Sequence, residues 1–113
     1  MAGRRSRDKG ARGELMVTEK EFESQIKDMA KLFGWLYYHT WRSIHSPAGF
    51  PDVVMARPPR IIFVELKSFK GKVSGKQSEW LETLGQCPNV EVFLWRAEEE
   101  SIEEIAEILK WEY

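Results

Sequence analysis

The 113-residue sequence predicts one α/β domain, built around a mixed sheet with helices on its faces. The first observation is that short apolar runs of strand length alternate with segments whose apolar residues recur at helical spacing. The second is a set of capping boxes, each at the start of a helical segment. The third is composition, because 42% hydrophobic residues can fill a core without disulfides, and Cys87 is the one cysteine. The predicted order is helix, three strands, helix, strand and a final helix.

The first helix is predicted to start at Thr18, which can form a capping box with Glu21, and to end at Gly34. Its apolar residues share one face, and they are Phe22, Ile26, Met29, Ala30 and Phe33. The aromatic run WLYYHTW, residues 35–41, predicts a strand. The polar run RSIHSPAGF that follows contains proline and glycine and predicts a loop.

The middle of the chain predicts a hairpin and then a helix. Residues 52–55 and 61–66 are short apolar runs, and the segment ARPPR joins them. Ser74 and Gln77 can form a second capping box, which opens a helix that stops at Gly85.

The end of the chain predicts one more strand and one more helix. The strand is expected at residues 90–95, after a Pro-Asn turn. Ser101 with Glu104 caps the last helix, whose apolar face consists of Ile102, Ile105, Ala106 and Leu109. Burial statistics for large aromatic residues favour the core for the five tryptophans, at positions 35, 41, 80, 95 and 111, and base stacking is the alternative.

The net charge of -1 hides an asymmetry between the two ends of the chain. Residues 1–17 form a basic, polar arm with Arg4, Arg5, Arg7, Lys9 and Arg12, and residues 18–113 form the domain. Such an arm can lie along a phosphate backbone or remain a solvated tail. It contains no apolar stretch long enough for a signal peptide or a membrane span, so we expect a cytoplasmic protein without a membrane partner.

The strand at residues 61–66 carries charge at its end. Ile61, Phe63, Glu65 and Lys67 point to one face and the residues between them to the other, and both faces are apolar up to Glu65. This pattern is typical of a central strand that is covered on both sides. An unpaired carboxylate costs several kcal/mol in such a place, so Glu65 needs a partner.

A symmetrical turn between Pro58 and Pro59 would bring Asp52 opposite Glu65, about 5 Å away. Two like charges repel there, and a divalent cation between them removes the conflict. Oxygen ligands favour Mg²⁺ or Mn²⁺, and Lys67 on the same face can orient a water and neutralise developing charge. These groups suit phosphodiester hydrolysis. The alternative is a salt bridge without chemistry, because E-x-K is a common tripeptide.

The segments GFPDVV, VELK and GKVSGKQSEWLETL, with the short hairpin between the first two, resemble the PD-(D/E)xK nucleases. Within them the sequence is similar to the small stand-alone VRR-NUC type of phages and bacteria. The resemblance covers residues 18–95 and implies a restriction-endonuclease-like αβββαβ core, to which this chain adds a C-terminal helix. It implies Asp52 and Glu65 as metal ligands with the Leu66 carbonyl, and Lys67 as the catalytic lysine.

Two further positions follow from the resemblance. Gln77 matches a glutamine that the family keeps near the site, beside its capping role. The first helix often adds an acid, and Glu19 matches it best, because E-x-x-F places Glu19 one turn before the first core residue. Glu23 is the rival, one turn later on the same side.

Nucleic-acid contacts are expected from residues around the site and from the arm. The candidates are His39, Ser43, Ser46, Lys70, Lys72, Arg4, Arg5 and Arg7. His39 and His45 match no regular metal spacing, so neither is predicted to bind zinc.

The sequence therefore predicts an Mg²⁺- or Mn²⁺-dependent DNA endonuclease without an organic cofactor. The resemblance implies selection for branched, flapped or four-way junction DNA, often by a homodimer. The alternatives are a less selective nickase or end-processing nuclease, and a DNA-binding module without activity.

Overall fold

The computed structural model describes residues 18–41, 44–68, 70–97 and 102–112. The predicted arm, the candidate contact Ser43 and the predicted cap Ser101 lie outside these residues. Helix α1 (Glu19–Leu32) begins at Thr18 with the predicted capping box, in which the Glu21 N–H donates to Thr18 Oγ1 at 3.0 Å and the Thr18 N–H donates to Glu21 Oε1 at 2.9 Å. Gly34 turns the chain after the helix with a φ of 85°.

Four strands form one mixed sheet. They are β1 (Leu36–His39), β2 (Val53–Arg57), β3 (Arg60–Lys67) and β4 (Glu91–Arg96), and this is also their spatial order. β1 pairs with β2 and β2 pairs with β3 in antiparallel orientation, whereas β3 and β4 are parallel. The crossover helix α2 (Gly75–Gly85) connects these two parallel strands. The predicted α/β class and element order are thereby confirmed.

The hairpin between β2 and β3 has the predicted symmetry but a shorter turn. Val53 pairs with Val64 and Arg57 pairs with Arg60, so only Pro58 and Pro59 lie outside the ladder. The prediction of a five-residue connection was too long because ARPPR contributes the last residues of one strand and the first of the next. In this register Asp52, one residue before β2, lies across from Glu65.

The core lies between one face of the sheet and the helices α1 and α3 (Ile102–Lys110). Alternate residues of β2 and β3 are fully buried there against apolar residues of the two helices, and the most buried of them are Phe22, Ile26, Val53, Met55, Ile62, Val64, Ile105 and Leu109. On the other face, Phe50 packs edge-on against both Phe63 of β3 and Trp80 of α2. Both faces of β3 are therefore covered, as its apolar sequence predicted.

The tryptophan prediction is correct for part of the set. Trp35 and Trp95 are buried and Trp80 is half-buried, but Trp41 is 81% exposed and Trp111 is 54% exposed. Trp41 follows the end of the edge strand β1. Trp111 follows the end of α3. The guanidinium carbon of Arg60 lies over its ring, 5.4 Å from the ring centroid.

The two arginines that flank the proline turn bind the end of α3. The buried Arg60 forms a bidentate ion pair with Glu91, at 2.6 and 2.7 Å. Arg57 and Arg60 also donate to main-chain carbonyl groups that no longer have helical partners, those of Ile108, Leu109 and Trp111. The hairpin therefore fastens the C-terminal helix to the sheet.

Among the described residues, none of the helices has the length and apolar character that crossing a membrane requires.

Candidate active site

Asp52 and the end of β3 are joined directly. Asp52 Oδ2 accepts a hydrogen bond from the Leu66 N–H at 2.9 Å. The main-chain carbonyl of Asp52 accepts from the Thr40 N–H at 2.8 Å. Asp52 is thus held between the continuation of β1 and β3, with its carboxylate directed toward β3.

Glu65 is a buried carboxylate with one unsatisfied oxygen. It is 1% exposed, its Oε2 accepts from Gln77 Nε2 at 2.8 Å, and Lys67 Nζ lies 3.5 Å from the same oxygen. Its Oε1 is buried and has no hydrogen-bond partner. Burial, and then the charge of Asp52, raise the pKa of Glu65 to about 7, although Lys67 opposes them. The two carboxylates are therefore close enough to repel each other.

The Leu66 main chain points toward Asp52. In a strand, the N–H and C=O of one residue point to the same neighbouring strand, and the next residue points to the opposite one. The Leu66 N–H reaches Asp52, whereas the Lys67 carbonyl accepts from the Ala97 N–H on the β4 side at 3.1 Å. The Leu66 carbonyl is therefore directed to the same side as Asp52.

A pocket of about 300 Å³ opens over this point. It is lined by Glu19, Lys20, Glu23, His39, Asp52 and Leu66. The first helix, the edge strand and the end of the hairpin thus meet around Asp52.

The candidate metal ligands beside this pocket are oxygen atoms. The described residues contain no group of three or more His, Cys, Asp or Glu side chains arranged to hold a metal ion. A cation would instead have two carboxylates and a main-chain carbonyl, a set that fits a hard, partly hydrated ion. It would also supply the missing partner of Glu65 Oε1 and offset the repulsion between Asp52 and Glu65.

Gln77 forms the predicted capping box and also contacts Glu65. Its Oε1 accepts from the Ser74 N–H at 2.9 Å to close the capping box of α2, and its Nε2 donates to Glu65. The amide oxygen therefore binds Ser74, and the amide nitrogen binds Glu65. The start of α2 is therefore tied to the buried carboxylate.

Gly49 brings the loop after β1 against the start of α2. Its φ is 99°, and a Cβ at this position would lie 2.6 Å from the main-chain carbon and oxygen of Lys76. Only glycine fits this approach without displacement. The loop thus supports the helix one residue before Gln77.

The two candidate acids of α1, Glu19 and Glu23, both line the pocket, and the Glu23 side chain contacts β1. Its Oε2 accepts from the Tyr37 hydroxyl at 3.1 Å and lies 3.4 Å from His39 Nδ1. Burial, and then Glu23, raise the pKa of Tyr37. Glu19, one turn earlier, is exposed.

Tyr37 was not predicted as a site residue. The signal for it was the alternation in WLYYHTW, because residues two apart in a strand share a face, and Tyr37 lies two residues before His39.

The VRR-NUC domain model matches residues 14–99, which is most of the chain. The chain belongs to the VRR-NUC family. This VRR-NUC protein is accordingly a nuclease, a hydrolase that binds DNA, and nucleases of the PD-(D/E)xK type generally use divalent metal ions.

Solved structures share the fold of this VRR-NUC domain. One described as a VRR_NUC domain has a TM-score of 0.63 at 22% identity, covering 84% of this chain and 97% of its own. A VRR_NUC domain protein has a TM-score of 0.59 at 16% identity, covering 84% and 87%. The Holliday junction resolvase Hjc of the archaeon Archaeoglobus fulgidus has a TM-score of 0.55 at 19% identity, covering 73% and 70%. No curated protein matches the sequence.

The remaining predicted DNA contacts of the VRR-NUC domain are spread over its surface. His39 lines the pocket. Ser46, Lys70 and Lys72 are exposed on the loops that follow β1 and β3, outside the pocket lining. The pocket thus brings together the acids of α1 with His39 and Asp52.

Proposed function

We propose that this protein is an Mg²⁺- or Mn²⁺-dependent DNA endonuclease that hydrolyses phosphodiester bonds and selects its substrate by DNA structure. The observation that carries the proposal is the buried Glu65, with one oxygen lacking a partner, across from Asp52 and 3.5 Å from Lys67. A salt bridge without chemistry would pair Lys67 with Glu65 Oε2 but would leave Glu65 Oε1 without a partner.

Asp52, Glu65 and the Leu66 carbonyl would hold the cation. When bound, it would lower the pKa of a water molecule and offset negative charge on the phosphate. Glu65 must be ionised for this role, and Asp52 must turn an oxygen toward the same point.

Lys67 would orient the attacking water. Its side chain is 17% exposed, and its ammonium nitrogen lies 3.5 Å from Glu65 Oε2. An ammonium group carries three donors, which can hold a water and stabilise the charge that develops on the phosphate oxygens. The water would attack the phosphorus directly while one P–O ester bond breaks, the departing sugar oxygen would take up a proton to leave as a hydroxyl group, and no covalent intermediate is needed.

Glu19 is proposed as the acid that α1 contributes. Glu23 lies in the same pocket, but its Oε2 is engaged by Tyr37 and His39. We expect Glu19→Gln to lower the cleavage rate at saturating DNA. Glu23→Gln should act mainly through the position of His39 and therefore on DNA binding. The reverse pattern would exchange the two roles.

Branched, flapped or four-way junction DNA is the proposed substrate. The similarity to the Hjc fold supports this class, and a homodimer would present two sites to two strands. The proposed backbone contacts are His39, Ser43, Ser46, Lys70 and Lys72, with Arg4, Arg5 and Arg7 of the arm.

A cleavage panel tests the function. The purified protein is incubated with a four-way junction, a flap and linear duplex of the same sequence, in Mg²⁺, Mn²⁺ or EDTA. Cleavage is expected only with a metal. Asp52→Asn, Glu65→Gln and Lys67→Met should each lower it at least about 100-fold.

Glu107→Gln is the matched control, because Glu107 is an exposed acid of α3. Circular dichroism verifies that each variant is folded. Folded Asp52 and Glu65 variants that cut as well as the wild type would contradict the mechanism. Binding in EDTA with no cleavage of any substrate would instead identify a DNA-binding module.

A further inference from the structure

Three aromatic residues, at positions 37, 39 and 41, follow one another along β1 and the residues directly after it. Tyr37 is half-buried and donates to Glu23, His39 lies beside the same carboxylate and lines the pocket, and Trp41 comes two residues later. The His39 and Trp41 ring centroids are 6.0 Å apart, with the planes tilted by 54°. Trp41 is the exposed end of this series, and it is also the end next to Asp52, because His39 pairs with Val53 and the Thr40 N–H binds the Asp52 carbonyl.

The main chain holds Trp41 close to Asp52. The Thr40 N–H, directly before Trp41, donates to the Asp52 carbonyl at 2.8 Å. The place of Trp41 relative to the pocket is thus set by a main-chain hydrogen bond to a proposed metal ligand.

Packing does not explain the Trp41 side chain. It is 81% exposed, so the free protein gains little from burying the largest apolar side chain there is. Single exposed apolar residues are common on proteins, and exposure alone would mean little. What distinguishes Trp41 from such residues is its place beside the His39 ring, which lines the pocket.

The face of an aromatic ring is a binding site for a nucleobase. Stacking on aromatic side chains tolerates any base, because every base has a π-face. A base inside continuous duplex is already stacked on both sides. Only an unpaired or displaced base can present its face to Trp41.

We propose that Trp41 stacks on an unpaired base next to the phosphate that enters the pocket, and that it thereby selects DNA with single-stranded nucleotides beside the cut. This inference rests on the proposed function for the identity of the pocket. It adds a specificity-determining residue that lies outside the set of proposed metal ligands.

DNA binding without divalent metal tests the proposal separately from cleavage. Fluorescence anisotropy measures the affinity of the full chain for a flap with ordinary bases, for the same flap built from abasic nucleotides, and for the blunt duplex. The proteins are the wild type, Trp41→Ala, Trp41→Phe and Leu36→Ala. Leu36 is the matched control, because it is an apolar residue of β1 with 78% exposure.

Trp41→Ala should weaken binding of the ordinary flap roughly 5- to 150-fold, the range for loss of one stacked base. It should leave binding of the abasic flap and the duplex within about twofold. Trp41→Phe should retain most of the affinity, since a smaller ring remains, and Leu36→Ala should match the wild type.

An equal loss on all three DNAs, or no loss on the ordinary flap, would overturn the proposal. So would a wild type that binds the ordinary and abasic flaps equally or binds neither. If the binding data show the expected pattern but the protein cuts no DNA in the cleavage panel, the stacking proposal is supported and the proposed nuclease mechanism is contradicted.

Discussion

The side-chain amide of Gln77 donates a 2.8 Å hydrogen bond to the buried carboxylate of Glu65, while its other end caps helix α2. One residue thus connects the local signal that starts a helix to the orientation of a proposed metal ligand. Partners that orient metal ligands commonly contribute 10- to 100-fold to affinity or activity.

We expect Gln77→Ala to lower metal-dependent cleavage by about 10- to 100-fold, because Glu65 loses the donor that holds it. Ser74→Ala is the matched control, since it removes the Ser74 hydroxyl that accepts from the Gln77 N–H and leaves the contact with Glu65 in place. Both variants should lose about 0.5–2 kcal/mol of stability in thermal unfolding. Equal activity of the two variants would mean that Gln77 serves the helix alone.

The ionisation of Glu65 should make the metal-free protein less stable as the pH rises. Its pKa is raised from 4.5 to about 7, so the folded protein holds this proton more tightly than the unfolded chain does. The folding penalty is absent below pH 4.5, grows between pH 4.5 and 7, and is complete above pH 7, where it amounts to on the order of 3 kcal/mol.

Glu65→Gln cannot ionise and serves as the reference for this effect. Urea unfolding in EDTA from pH 4.5 to 8.5 should show the wild type losing stability relative to the variant by that amount. Mg²⁺ at pH 8 should then stabilise the wild type and leave the variant nearly unchanged, because the cation binds the ionised form. Parallel stability curves for the two proteins would contradict the assigned pKa.

Gly49→Ala should disturb the start of α2. The added Cβ would meet the Lys76 main chain at 2.6 Å in a conformation with a φ of 99°. We expect a loss of more than about 2 kcal/mol in urea unfolding, together with slower cleavage as Gln77 shifts. Gly75→Ala is the control, because nothing lies within 4 Å of its Cβ position, and it should be neutral or stabilising by up to about 1 kcal/mol. Similar effects of the two substitutions would rule out the contact as the cause.

The buried ion pair of Arg60 should matter far more than a surface pair. Arg60→Met leaves Glu91 without its partner and removes the donors to the carbonyl groups of Ile108 and Trp111. We expect a loss of about 2–4 kcal/mol in urea unfolding. Lys110→Ala breaks the exposed pair with Glu107 and should change stability by less than about 0.5 kcal/mol. A small effect of Arg60→Met would show that Arg60 is not needed to hold α3 on the hairpin.

Deleting residues 1–12 should weaken DNA binding and flatten its dependence on salt. The segment carries five cations, and each phosphate contact contributes about 0.9 to the slope of log affinity against log salt concentration. Anisotropy between 50 and 300 mM salt measures the slope, with substitution of Lys31 on α1 as a single-charge comparison. An unchanged slope would show that the arm is a solvated tail.

Local patterns in the sequence predicted much of this protein. Both capping boxes within the described residues formed where Thr18 and Ser74 indicated, because they depend on residues three apart. The hairpin register followed from its symmetry, because a strand's side-chain period leaves few alternatives when one face is buried. The same reasoning placed Asp52, Glu65 and Lys67 together before any distance was known.

Contacts between distant segments were decided by the tertiary structure. Tyr37 lies 14 positions from Glu23, and Gln77 lies 12 positions from Glu65, so neither bond has a local signature. Whether Trp41 is buried depended on what packs against it, and among the residues that the structure describes it stays 81% exposed. The sequence pattern of the strands thus determined that two carboxylates and a lysine lie at the end of the hairpin. Tertiary packing decided that Glu65 Oε1 lacks a partner and that the Trp41 ring faces the solvent. The physical reason is that both outcomes depend on groups far apart in the chain.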